Sequence, residues 1–255
     1  MTTLSRSVLS RFKAAGLHFI ASLFLFSLLG FVVVQLWYPQ PYFSASGGWQ
    51  GLQIIALVDV VLGPCLTFII YQSTKPRKEL MMDIGLIVLI QVSALAYGIH
   101  ALHSQRPVAL VFWENRFHTV PAQALSNQGI DIDTLRQFSQ QSPAKVYAQN
   151  PLILAEKKEM LKRINEQRLP PTHQFDLYRS IESHKQAILS HSIDINEVIQ
   201  ANSDMSEQLT TLLDKTQTTQ AENFYIVLES RYQNIILVLN SDAQQVGFLK
   251  APYKK

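Results

Sequence analysis

Three long apolar runs, at residues 17–37, 51–71 and 80–102, dominate the first part of the chain. Each can span roughly 30 Å of hydrocarbon as a helix, which takes about 20 residues. After residue 103 the pattern changes. PVALVFW (107–113) is a dense apolar run that predicts a buried strand, with 108, 110 and 112 on one face and 109, 111 and 113 on the other. Glu114-Asn115 turns it into a second strand at 116–120. Residues 131–140 predict a short helix and 144–148 a strand. Asn150-Pro151 marks a helix start, with Ile153, Leu154, Met160, Leu161 and Ile164 predicted to share an inward face until Pro170-Pro171 ends it. Further helices are expected at 175–190 and 205–215, and a β-meander at 224–229, 232–240 and 245–249. The predicted architecture is a three-span membrane bundle (1–102), followed by an α+β domain (103–255) with a mostly antiparallel sheet.

Charge orients this plan. The net charge is +3, and all of the excess lies in residues 1–102, which hold six Lys/Arg and three acids. The remaining 153 residues carry sixteen of each sign. The positive residues flank the first span and fill the link 72–79, which places the N-terminus and that link in the cytoplasm and everything after His103 on the far side of the membrane. Trp37, Tyr38, Tyr42, Phe43 and Trp49 then read as an aromatic belt at the outer interface. The first apolar run exceeds the roughly 7–15 residues of a signal-peptide core, so it is expected to be retained. The single cysteine, Cys65, excludes an intrachain disulfide. No basic patch with interleaved aromatics suggests nucleic acid.

Asp59 stands alone in the second apolar run, and an ionisable residue at mid-bilayer is a functional-site candidate. Pro64 removes the helical donor for the Val60 carbonyl one turn away. Asp59 and Gln91 fall at equal depth, about 18 and 17 Å from the cytoplasmic ends of their spans. They are expected to hydrogen-bond between helices. Two roles stay open for Asp59: locking the bundle or contacting a partner's membrane helix. Asp83 is expected to pair with the Lys75–Lys78 link. His100 and His103 share a helix face but are too few for a metal site. His184 and His191 read as a solvated face. Asp131 and Asp133 are spaced as DxD but begin a predicted helix, where acids are ordinary. There is no nucleophile elbow, phosphate-binding glycine loop or HExxH. No cofactor or metal and no enzymatic activity are expected.

The stretches VDVVLGPCLTFIIY (58–71), KPRKELMMDIGLIVLIQVSALAYGIHAL (75–102) and RPVALVFWENRF (106–117), in this order, resemble the type IV pilin accessory proteins of Gram-negative bacteria, the TfpX/TfpZ type. The VDxxLGPxLT stretch is the most specific piece. The similarity covers residues 10–120. It implies a non-enzymatic inner-membrane protein that binds and stabilises its cognate major pilin or aids pilus assembly, with the bilayer and other pilus assembly proteins as further partners. Under this reading, Asp59, Gly63, Pro64 and Gln91 form a candidate intramembrane contact. Phe112, Trp113, Arg116 and Phe117 form a candidate periplasmic one. The rival classes are a membrane-anchored sensor or scaffold, which lacks a cytoplasmic output domain here, and a pilin-modifying enzyme.

Overall fold

The structure is a computed structural model and describes residues 2–202 and 204–253. The chain divides into two compact units: residues 1–39 with 48–104, and residues 40–47 with 105–255.

In chain order, α1 (Thr2–Val32) runs into a π-helical turn, Val33–Trp37, and a single turn, α2 (Tyr42–Ala45), follows. Then come α3 (Gly48–Ile55), a π-helical segment (Ala56–Leu62), α4 (Gly63–Ile70) and α5 (Arg77–Gln105). Among the described residues, three helical stretches are long and apolar enough to cross a membrane: Val8–Trp37, Gly48–Ile70 and Arg77–Gln105. Most of their large apolar side chains point outward, as on helices whose surroundings are themselves apolar.

Small residues bring the second and third spans together antiparallel. Gly51 lies against Leu102, Ile55 against Gly98, and Gly63 against Gln91. A Cβ at Gly51 or Gly63 would overlap the facing side chain, so glycine here permits close approach of the two helices. At the end of the first span, the Tyr38 hydroxyl donates to the Leu102 carbonyl at 2.9 Å.

The second unit is built on one seven-stranded mixed sheet. Its strands are β1 (Pro107–Trp113), β2 (Arg116–Pro121), β3 (Ala144–Ala148), β4 (Tyr178–Ser180), β5 (Phe224–Glu229), β6 (Gln233–Leu239) and β7 (Gln245–Tyr253). The spatial order is β4-β3-β1-β2-β5-β6-β7. The β1–β3 and β2–β5 pairs are parallel, and the other four are antiparallel. The two-residue period of β1 sorts its side chains to opposite faces. Ala109 and Val111 join Val120, Val146, Met160 and Tyr178. Leu110 and Phe112 join Phe117, Ile226, Leu228 and Ile235. Helices α6 (Ala122–Ser126), α7 (Leu154–Gln167), α8 (Lys185–Leu189), α9 (Ile195–Ala201) and α10 (Asp204–Thr216) complete the unit. Ile195 of α9 and Met205 and Leu209 of α10 cover Tyr225, Ile236, Val238 and Leu249.

Residues 40–47 are part of this sheet unit, although they lie between the first two spans in sequence. Tyr42 and Ala45 are buried among Phe112, Phe117 and the β5–β6 side chains. The Ala45 carbonyl accepts from the Tyr232 amide at 2.9 Å and the Ser230 hydroxyl at 3.0 Å. Ser44 Oγ donates to Gln233 Oε1 at 3.0 Å. The reading of Tyr38 and Tyr42 as interfacial belt residues is corrected: Tyr42 is buried in this sheet core, and Tyr38 is buried at the end of the first span. An uncharged aromatic link is equally suited to a lipid interface and to a sheet core, and at Tyr42 it fills the core.

Three local expectations also change. Residues 175–190 do not form one helix. The register Ala148↔Tyr178 and the Gln149 amide bond to the Leu177 carbonyl, at 2.9 Å, make Tyr178–Ser180 an edge strand that covers β3. Residues 131–140 form a 3-10 segment, Ile132–Gln137. In α7 only Met160 and Ile164 pack on the sheet, whereas Ile153, Leu154 and Leu161 are exposed. The helix starts at Leu154, with Ile153 and not Asn150 at the cap position, and only the Met160–Ile164 side meets the core. Helix α9 was not foreseen, although Asp194 caps it through its side chain, accepting from Asn196 N at 2.9 Å.

Candidate functional site: a buried carboxylate between the spans

The π-helical segment of the second span runs up to a proline. Gly63 N–H reaches back five residues to the Val58 carbonyl. Pro64, next along, has no N–H to give. Gln91 of α5 donates from Nε2 to Asp59 O over a long 3.5 Å. Gly63 leaves the room in which the Gln91 amide sits. Asp59, Gly63, Pro64 and Gln91 thus belong to one arrangement. One detail differs from the sequence reading: Gln91 meets the Asp59 carbonyl and not the carboxylate.

The Asp59 side chain is free for something else. The residue is 8% exposed, and it faces a groove of about 280 Å³ also lined by His18, Ser22, Phe26, Gln91, Val92 and Leu95. Among the described residues no side chain donates a hydrogen bond to its carboxylate. His18 shares the groove with it and is held by Thr67, with Nδ1 to Oγ1 at 2.6 Å. His18 went unremarked in the sequence reading, and its signal was a polar ring just inside an apolar run. Chemically the groove offers an acceptor for a donor or cation entering from the apolar side. It offers no second carboxylate for acid–base catalysis, and the described residues contain no metal-binding cluster. At the other end of this unit, Lys75 Nζ pairs with Asp83 at 2.7 Å.

The β1–β2 hairpin divides its residues differently from the sequence expectation. Phe112 and Phe117 are each 1% exposed, and their rings meet edge-on at 5.2 Å. They are core residues and leave no surface for a partner, because the apolar face of the strand turns inward. Trp113 is half-buried. Arg116 stays accessible, 3.4 Å from Glu229 and 3.0 Å from Asn115 Oδ1. The surface of the hairpin is Glu114, Asn115 and Arg116.

Asp131 accepts from Asp133 N at 3.0 Å, and Asp133 pairs with Arg136 at 3.2 Å, so both acids serve the start of the 3-10 segment. His184 is not on a solvated face: it stacks on Tyr147 with ring centres 4.2 Å apart. A feature with no sequence signal is Lys145 on β3, which is 9% exposed. It lines a polar groove of about 390 Å³ with Arg136, Ser139, Ser180, Glu182 and Gln244. Burial pushes its ammonium down to about 8. The carboxylates of Glu182 and Asp242 in that groove lie 2.8 and 3.6 Å from Lys185 instead.

Known proteins are similar to part of this sequence. A family model described as fimbrial assembly protein FimB matches residues 6–47, the first span and the link that enters the sheet unit. The fimbrial assembly protein of Dichelobacter nodosus serogroups C1 and C2 is 41% identical over 100 residues, covering 39% of this chain and 76% of that protein. The chain belongs to the fimbrial assembly protein family. The serogroup I protein of the same organism is 38% identical over 125 residues, 49% of this chain and 47% of that protein. The serogroup E1 protein is 39% identical over 100 residues, 39% of each chain. Against the serogroup I and E1 relatives the family member thus spans half their length or less. No solved structure matches.

Proposed function

We propose that this protein is an inner-membrane accessory factor of type IV pilus biogenesis, of the TfpX/TfpZ type, that binds and stabilises its cognate major pilin or aids its assembly. The observation that carries the reading is the family: the relatives are fimbrial assembly proteins, and this chain joins three membrane-length helices to a folded sheet unit. The charge of the 72–79 link and of the first residues favours a cytoplasmic N-terminus and a periplasmic sheet unit.

A pilin subunit waiting in the membrane presents an apolar helix and a globular head. A factor with a bundle and a folded domain engages both, and two modest contacts on one chain reinforce each other through effective concentration. The groove at Asp59 is the contact for the helix, where an unsatisfied carboxylate rewards an entering donor. The exposed Glu114-Asn115-Arg116 tip is the contact for the head. The role is one of binding, without a catalytic step.

Asp59→Leu tests the first contact. The variant is expected to accumulate in the membrane at normal levels while piliation falls severalfold in a deletion strain carrying it. Full piliation with Asp59→Leu would remove the groove from the account.

A further inference from the structure

We propose that the exposed face of α7, with the residues that lead into it, is a docking surface for an anionic phospholipid membrane. Four large apolar side chains stand out from the sheet unit here: Leu152 at 90% exposure, Ile153 at 60%, Leu154 at 67% and Leu161 at 45%. Leu152 and Ile153 lead into the helix, and Leu154 and Leu161 share one side of it. At about 100° per residue, Leu154 and Leu161 lie within roughly 20° of each other. Lys157 lies roughly 60° to one side, and Lys158 and Lys162 roughly 40–80° to the other. All three lysines are exposed. The acids of the helix, Glu156, Glu159 and Glu166, lie roughly 120–200° away. Arg163, on that far side, is engaged with Glu159 at 3.5 Å and Asp176 at 2.7 Å.

The face is therefore apolar at its centre, cationic at both margins, and cleared of negative charge. A protein partner could match the leucines. The flanking lysines with acids segregated to the opposite side are the distribution that an interfacial amphipathic helix uses on acidic lipid. The core does not require these leucines, since Met160 and Ile164 carry the packing of α7 on the sheet. The inference rests on the membrane-tethered reading, under which lipid is always within reach of this unit.

The test uses the full chain, in which Cys65→Ser leaves room for single labels. An environment-sensitive fluorophore is placed at Leu152→Cys, and in a control protein at Asp214→Cys, an exposed position on α10. Each is reconstituted in vesicles of phosphatidylethanolamine and phosphatidylglycerol, or of phosphatidylcholine alone, and co-flotation with the vesicles independently reports the membrane tether. The label at 152 is expected to shift to the blue and to be quenched by lipid-borne quenchers in the anionic vesicles. The effect should weaken severalfold in phosphatidylcholine and with Lys157→Gln, Lys158→Gln and Lys162→Gln combined. The label at 214 should stay aqueous throughout. A floated protein whose label at 152 is as aqueous as that at 214 overturns the proposal. So does shielding that is equal in both lipids, or that appears only when a second protein is added.

Discussion

Replacing Lys145 by methionine removes a charge that the fold has to bury. The side chain leaves β3 beside Leu110 of β1 and is nine-tenths covered, with no ion pair or hydrogen bond to its ammonium among the described residues. Burial lowers its pKa from 10.5 to about 8. At 1.36 kcal/mol per unit, that gap corresponds to an order-of-magnitude cost of about 3 kcal/mol for holding the proton in the folded state. The folded value is the lower one, so the unfolded chain binds the proton more tightly. The cost is full below pH 8, fades as the pH rises from about 8 towards 10.5, and is gone above that. Methionine has a similar unbranched shape and no charge to desolvate. Lys145→Met should therefore raise the melting temperature of the detergent-solubilised chain at pH 7 by roughly 6–12 °C, taking about 2–4 °C per kcal/mol for a chain of this size. At pH 9.5 the gain should fall by more than half. A melting temperature lowered at pH 7, or a gain that is the same at both pH values, would refute the argument. Either result would mean that the amine has a counter-charge or reaches solvent.

Two other substitutions probe the packing. Gly63→Ala places a methyl group where the Gln91 amide lies, forcing that amide off the Asp59 carbonyl. It should cost about 1–3 kcal/mol, and clearly less in a Gln91→Ala background; thermal melts of the four proteins of this cycle measure the coupling. Ala45→Leu overfills the core between Phe112, Phe117 and β6, and should destabilise the sheet unit by about 1–3 kcal/mol, seen as faster proteolysis within residues 105–253 although position 45 lies far upstream in sequence.

What the sequence disclosed follows from where a strong period or a strong constraint acted. The three apolar runs, the β1–β2 hairpin, β3, α10 and the β5–β7 meander are legible because length or alternation leaves one solution. The helix predicted at 175–190 failed because a helical repeat of apolar residues also suits a 3-10 turn followed by a short edge strand. The sheet edge at β3 made the latter worth more. The leucines of α7 were misplaced because periodicity finds an apolar face but not what that face meets. Residues 40–47 could not be assigned to the sheet unit, since their partners in the β5–β6 turn and on β6 lie 185 and 189 residues away. At the site, the depth argument brought Asp59 and Gln91 together, but whether Gln91 meets the carboxylate or the backbone carbonyl is a detail with no residue pattern of its own. His18 was missed because a lone ring near the start of an apolar run carries no spacing that links it to the Asp59 groove.

Photo-crosslinking in living cells tests the central claim most directly. A photoreactive residue replaces Leu25, an apolar residue lining the Asp59 groove, and in a second protein Asn115 at the exposed hairpin turn. The account predicts that both positions yield an adduct with the major pilin, and that Asp59→Leu suppresses the adduct at 25 more than that at 115. Pilin adducts at neither position, in cells that are otherwise fully piliated, would contradict it.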